Sequence, residues 1–218
     1  MYKAIIFDFD GTLVDTLPLY VEAYREALEK FGFNFDDRKI AETCFGKKEE
    51  NICANLNIPD KVDEFRRLYF EGVEKQYENV KLFDDALETL TFLKKRNFDC
   101  AVVTFAYRWY IEKMIKKIGI ENYFKVVVSN EDVRNPKPNP DAVLVVCNKF
   151  KCSPKEAVVI GDSKSDILMG KNAGSTTILF APEHHEVYYD FKKLFQSKPN
   201  FIIKKLGELK KVVISTPI

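Results

Sequence analysis

Two carboxylates two residues apart, Asp8 and Asp10, follow the apolar run Ala4-Ile5-Ile6-Phe7 and open the stretch Asp8-Phe9-Asp10-Gly11-Thr12. The run is short, β-branched and bounded by a glycine, the pattern of a buried strand in a parallel sheet. Side chains alternate along a strand with a period of two, so Asp8 and Asp10 leave it on the same side. Like charges held that close raise each other's cost of ionisation, and the arrangement calls for a metal ion or a shared proton. Gly11 and Thr12 then predict a tight turn with free backbone amides, a cradle for an anion such as phosphate. Taken alone, the same Asp-Gly step also fits the turn of a hairpin.

Three further places carry reactive or phosphate-friendly groups. Thr104 ends Ala101-Val102-Val103, Lys137 lies in Asn135-Pro136-Lys137-Pro138-Asn139-Pro140, and Gly161-Asp162-Ser163-Lys164-Ser165-Asp166 follows Val158-Val159-Ile160. Each also has a plain structural reading. Thr104 could cap the next helix, Lys137 could be a solvated loop lysine, and Asp162 and Asp166 could be helix-entry charges that favour the dipole. The prolines around Lys137 favour a functional role, because they restrict the backbone and reduce the entropy lost when the side chain is held in one place.

These groups need a scaffold, and the hydrophobic periodicity supplies one. Thr16 can cap a helix with Pro18 in its first turn, running to Gly32. Ile40 to Cys44, Glu49 to Leu56 and Asp60 to Tyr77 continue the helical character, and nothing between residues 16 and 80 alternates like a strand. From Leu82 helix and strand alternate: helices over Ala86–Arg96, Trp109–Ile118, Asp141–Phe150 and Asp166–Ala173, strands over Phe98–Thr104, Val126–Val128, Ala157–Ile160 and Thr176–Phe180. Tyr188 to Phe195 reads as one more helix and Phe201 to Ile203 as an edge strand. Such alternation predicts an α/β fold, a doubly wound parallel, Rossmann-like sheet with an inserted all-α domain. Residues 1–15 and 81–218 form the α/β core, and residues 16–80 the helical insertion. Open parallel sheets bind ligands beyond the carboxyl ends of their strands, where all four reactive places fall.

At 218 residues the chain can bury a proper core. Its 34 Lys and Arg balance 33 Asp and Glu, which argues against a nucleic-acid or membrane surface and for a small-molecule partner. Five cysteines, Cys44, Cys53, Cys100, Cys147 and Cys152, include no Cys-x-x-Cys pair and predict free buried thiols in a reducing cytoplasm. Neither a signal peptide nor a window of about 18 apolar residues is visible, so a soluble cytoplasmic protein, monomer or homodimer, is expected.

Taken together, Asp8-Phe9-Asp10-Gly11-Thr12, Thr104, Lys137-Pro138 and Gly161-Asp162 with Asp166 resemble the motifs of the haloacid dehalogenase superfamily. The match is to its phosphoglycolate-phosphatase-like branch with a helical cap. The resemblance covers nearly the whole chain, and residues 16–80 sit where that branch inserts its cap. It implies that Asp8 attacks phosphorus to form an aspartyl-phosphate, and that Asp10 protonates the leaving alkoxide and then activates water. It implies Mg2+ held by Asp8, the carbonyl of Asp10, Asp162 and Asp166, the last directly or through water. Thr104 and Lys137 would hold the phosphoryl oxygens beside the turn at Gly11 and Thr12.

The expected activity is therefore magnesium-dependent hydrolysis of a small organic phosphate monoester, phosphoglycolate-like or a sugar phosphate. A β-phosphoglucomutase-like phosphomutase, which returns the phosphoryl group to its substrate, uses the same core residues, and a non-catalytic binding protein is the remaining alternative. A dehalogenase is disfavoured because Asp10 would have no part in displacing a halide. One departure stands out: many relatives carry asparagine after the second-strand threonine, whereas this chain has Phe105, which donates no hydrogen bond. Arg108 is a candidate to replace that contact, with a solvated helix-start arginine as the plain reading. The break at Phe45-Gly46-Lys47-Lys48 brings either a lysine over the site or a simple helix stop. His184-His185 reads as a loop feature, since adjacent side chains rarely point to one ion and no third ligand is near.

Overall fold

The computed structural model describes residues 1–214 of the chain. β1 (Ala4–Phe7) is followed by four helices, α1 (Leu17–Lys30), α2 (Asp37–Cys44), α3 (Glu49–Asn55) and α4 (Val62–Gln76). Helix and strand then alternate through α5 (Ala86–Lys95), β2 (Asp99–Val103), α6 (Arg108–Lys117), β3 (Val126–Val128), α7 (Asp141–Phe150), β4 (Ala157–Gly161) and α8 (Lys164–Ala173). β5 (Thr176–Phe180), α9 (Phe191–Phe195), β6 (Phe201–Ile203) and α10 (Leu209–Ile214) complete the series. The chain divides into two compact units.

The α/β unit comprises Met1–Val14, Leu82–Glu183 and the chain from Phe191 onward. Its six strands are all parallel, in the order β3-β2-β1-β4-β5-β6. Every residue of β1 and of β4 is buried, as strands covered on both faces must be. On one face Ile6, Val103 and Val159 pack with Val143, Val146 and Cys147 of α7 and Met169 of α8. In register, Phe7 lies between Val102 of β2 and Ile160 of β4, so Asp8 and the residues following β2 and β4 emerge at one edge. This order puts the topological switch point beside β1, where doubly wound sheets open a crevice for ligands.

The helical unit comprises Asp15–Lys81 together with His184–Asp190. Its centre is aromatic: the Tyr24 ring of α1 stacks on Tyr69 of α4 at 4.1 Å, with fully buried Phe65 beside it. Large flat rings on facing helices bury much apolar area with few rotors to order. Thr16 stands at the N-cap of α1, but its side chain makes no capping bond, in contrast to the capping role its type suggested. The helix expected over residues 188–195 is also not continuous. A short 3-10 turn (Glu183–Val187) precedes it and α9 begins only at Phe191. The interruption falls where the chain changes unit: Tyr189 packs on Phe45 and Arg38 donates to the Glu186 carbonyl, whereas Phe191 onward belongs to the α/β unit. Among the described residues, no helix is long and apolar enough to cross a membrane.

Candidate active site

Asp8 leaves β1 with its amide donating to the carbonyl of Ile160, 2.8 Å away, and its side chain almost entirely buried. Lys137 reaches in from the loop before α7, its side chain 6% exposed, and donates to Oδ1 of Asp8 at 2.8 Å and Oδ1 of Asp166 at 2.7 Å. Asp162 follows β4 and accepts from the hydroxyl of Thr12 at 3.3 Å. Asp166 is fixed by its own helix start: Ser163 and Asp166 form a reciprocal capping box at the first turn of α8. The Ser163 amide, 3.2 Å from Oδ2 of Asp166, and the Ser163 hydroxyl both donate to that oxygen.

The result is a knot of three buried carboxylates, Asp8, Asp162 and Asp166, whose nearest oxygens lie within 4.8 Å of one another. The Lys137 ammonium bridges two of them, Asp8 and Asp166. Burial first, then the Asp166 charge, push the Asp8 carboxyl up to about 7 against the pull of Lys137. Burial alone would favour neutral lysine, but the Asp166 and Asp8 carboxylates outweigh it and raise the Lys137 pKa. Lys137 is thus a fixed cation set among three buried carboxyl groups. Hard oxygen donors gathered in this way are the set that suits a divalent cation of the magnesium type.

Gly161 makes the knot possible. A Cβ on Gly161 would overlap Cβ and Cγ of Asp166, so any other residue at the end of β4 would push that carboxylate away. No local pattern in the sequence marks this clearance, although Ser163 with Asp166 three residues on is a legible capping pair.

Around this knot stand the remaining groups. Thr104 is buried and its hydroxyl oxygen accepts from the Ala106 amide at 3.0 Å, which leaves the hydroxyl proton to donate elsewhere. It does not cap α6, which starts at Arg108. Asp10 accepts from the hydroxyl of Tyr110, a buried residue of α6, at 3.3 Å. Nothing in the sequence marks Tyr110, because a tyrosine within an amphipathic helix carries no sign of where its hydroxyl ends.

Other expectations are corrected. The amides of Gly11 and Thr12 are not free: Gly11 donates to the Val14 carbonyl at 2.8 Å and Thr12 to the Phe9 carbonyl at 3.3 Å. Gly11, at φ +75°, closes a tight turn that consumes these donors internally, and Thr12 acts through its hydroxyl on Asp162 instead. Arg108 does not stand in for the missing asparagine; its guanidinium pairs with Asp132 and with Glu112 at 3.3 Å. Lys47 is held by carbonyls of its own helix end, Glu42 at 2.6 Å and Thr43 at 2.9 Å, which is the helix-stop reading. A third ligand does lie near the His184-His185 pair, since Asp15 joins it.

Residues 5–180 match the family model for the haloacid dehalogenase-like hydrolases. The chain belongs to that family. It is 31% identical over 207 residues to the pyrophosphatase PpaX of Bacillus velezensis, spanning 94% of each chain. It is equally 31% identical to a phosphorylated carbohydrates phosphatase of Thermotoga maritima, over 79% of this chain and 82% of that one. A haloacid dehalogenase-like family hydrolase of Streptococcus pneumoniae shares the fold, with a TM-score of 0.82 at 20% identity, covering 97% of this chain and 98% of that one. The protein is a hydrolase of the phosphatase type.

Proposed function

We propose that the protein is a magnesium-dependent phosphatase that hydrolyses a small organic phosphate monoester through a phosphoryl group carried on Asp8. The observation that carries this reading is the Lys137 ammonium bridging Asp8 and Asp166 within a buried carboxylate knot. In its roles, Asp8 is the nucleophile: a carboxylate oxygen attacks phosphorus, the bond to the leaving oxygen breaks, and Asp10 delivers its proton to that oxygen. Asp10 then takes a proton from the water that attacks the phosphorus of the aspartyl-phosphate; the bond between phosphorus and the Asp8 oxygen breaks, which releases phosphate and regenerates the Asp8 carboxylate. Tyr110 orients Asp10, and Thr104 and Lys137 bind phosphoryl oxygens. Asp8, Asp162, Asp166 and the Asp10 carbonyl would hold Mg2+, which neutralises charge between an anionic nucleophile and an anionic substrate. Lys137 opposes the protonation that burial favours at Asp8 and holds that carboxyl in place. The helical unit is the cap that selects the substrate, which is why residues 16–80 carry none of these groups.

A second reading, hydrolysis of inorganic pyrophosphate, is favoured by the relatives named pyrophosphatase. Phosphate is a good leaving group and needs little help from Asp10, whereas a sugar alkoxide needs its proton. The deciding experiment offers a panel of phosphorylated metabolites and pyrophosphate with and without Mg2+, and follows products by phosphorus NMR. Magnesium-dependent phosphate release from a monoester supports the proposal, and preference for pyrophosphate supports the second reading. Isomerised sugar phosphate without net release would show a mutase, and full turnover after chelation would remove the metal assignment.

A further inference from the structure

A second group of metal-binding side chains lies in the helical unit, in residues that the phosphatase chemistry does not use. Asp15, His184 and His185 each offer one ligand atom, and the three atoms lie within 4.8 Å of one another. Asp15 is the first residue of the helical unit after Val14, and His184 is the first residue of that unit's second segment. Oδ2 of Asp15 lies 3.4 Å from Nε2 of His184, both side chains being partly exposed. The other carboxylate oxygen, Oδ1, is buried and accepts no hydrogen bond from the described residues. A buried carboxylate oxygen without a donor is costly unless a cation meets it. His185 is fully buried, its ring 4.8 Å from that of His184 and nearly perpendicular to it.

We propose that Asp15, His184 and His185 form a binding site for a divalent transition-metal ion of the zinc type. Two imidazole nitrogens and one carboxylate oxygen are the donors zinc prefers, and three protein ligands leave a fourth position for water at the partly exposed side. Magnesium, which demands oxygen donors, is selected against here and favoured at the Asp8–Asp162–Asp166 knot. The competing account is a plain contact between His184 and Asp15; at 3.4 Å and half in solvent it is worth little and leaves Oδ1 unanswered. An ion at this place ties the start of the unit to a segment far along the sequence, so its binding energy adds to the stability of the helical unit by mass action.

The test uses the full chain, stripped with a chelator and then held in excess Mg2+ to fill the carboxylate knot. Zinc is titrated by calorimetry, and Co2+ is used as a spectroscopic probe. The expected result is one Zn2+ per chain, a raised melting temperature on binding, and visible Co2+ absorption bands of imidazole ligation. Asp15→Asn and His184→Ala should each weaken zinc binding at least ~10-fold, taking the loss for supporting groups as the lower bound. Melting of both variants in metal-free buffer checks their fold, and the isosteric Asp15→Asn carries the test if His184→Ala unfolds. A parent chain that takes up no stoichiometric zinc, or variants that bind it as tightly as the parent, would overturn the assignment.

Discussion

The hydroxyl of Tyr110 and Oδ1 of Asp10 are 3.3 Å apart, joining the first turn of α6 to the loop that follows β1 across 100 residues of chain. The proposed acid and base is therefore held by a neutral donor on an element unrelated to the loop that carries it. A tyrosine hydroxyl can serve Asp10 in its ionised form and, by rotating, in its protonated form.

This relationship separates the two halves of the reaction. With an aryl phosphate the leaving group hardly needs a proton, so Asp10→Asn should still be phosphorylated on Asp8. It should hydrolyse the intermediate ~10²–10⁴ times more slowly. A burst of aryl alcohol near one equivalent, followed by a slow steady state, is the expected trace in stopped-flow measurements. Tyr110→Phe loses one hydrogen bond, about 0.5–1.5 kcal/mol, and should slow the second step by no more than about tenfold. Uniformly slow release without a burst in Asp10→Asn would remove it as the base.

Lys137→Met tests what the ammonium does for the fold. It leaves Asp8 and Asp166 buried beside each other without their shared cation, and breaking such a pair from one side costs about 3–5 kcal/mol. Metal-free Lys137→Met should melt well below the parent, and Mg2+ should recover more stability in the variant than in the parent while turnover stays lost. Equal melting of the two metal-free proteins would show that the lysine carries no structural burden.

Gly161→Ala tests the clearance behind Asp166. The added methyl occupies the space of the Asp166 side chain, so the carboxylate must swing out of the knot. The Mg2+ concentration for half-maximal activity should rise ~10–100-fold, the loss typical of a displaced supporting group. An unchanged magnesium requirement would mean that Asp166 does not help to hold the ion.

The buried imidazole of His185 predicts an acid-labile helical unit. Its ring is held at about 3 in the folded chain against an ordinary value near 6.5, so the unfolded chain binds a proton first as pH falls. The stabilising contribution is complete above about pH 6.5 and is lost progressively toward about pH 3, at up to about 1.4 kcal/mol per pH unit. Melting curves of metal-free protein between pH 4 and 6 should show that slope, and His185→Phe should flatten it by one proton. The same slope in both would assign the acid sensitivity elsewhere.

Much of the α/β unit could be read from sequence because its strands are continuous apolar runs and its reactive groups sit one or two residues beyond them. Asp8, Asp162 and Lys137 are brought together by strand order, which the alternation of elements dictates. What escaped were matters of direction and of donors already used. Whether Tyr110 turns toward Asp10 depends on the phase of α6 against the sheet. Whether the Gly11 amide is free depends on Val14, whose carbonyl folds back to meet it. The nearness of Asp15 to His184 depends on a segment leaving one unit for the other, and no local periodicity records such a crossing.

That crossing also limits how the protein can be taken apart. Four times the backbone passes between the two units, at Val14, Lys81, Glu183 and Asp190. The helical unit is therefore not one exchangeable cassette. A chimera that transplants residues 16–80 into a related hydrolase would leave behind the stretch that packs Tyr189 on Phe45 and lends Arg38 its carbonyl partner. A recombinant swap that preserves the unit has to carry two inserts at once, and natural shuffling of this part of the gene faces the same requirement.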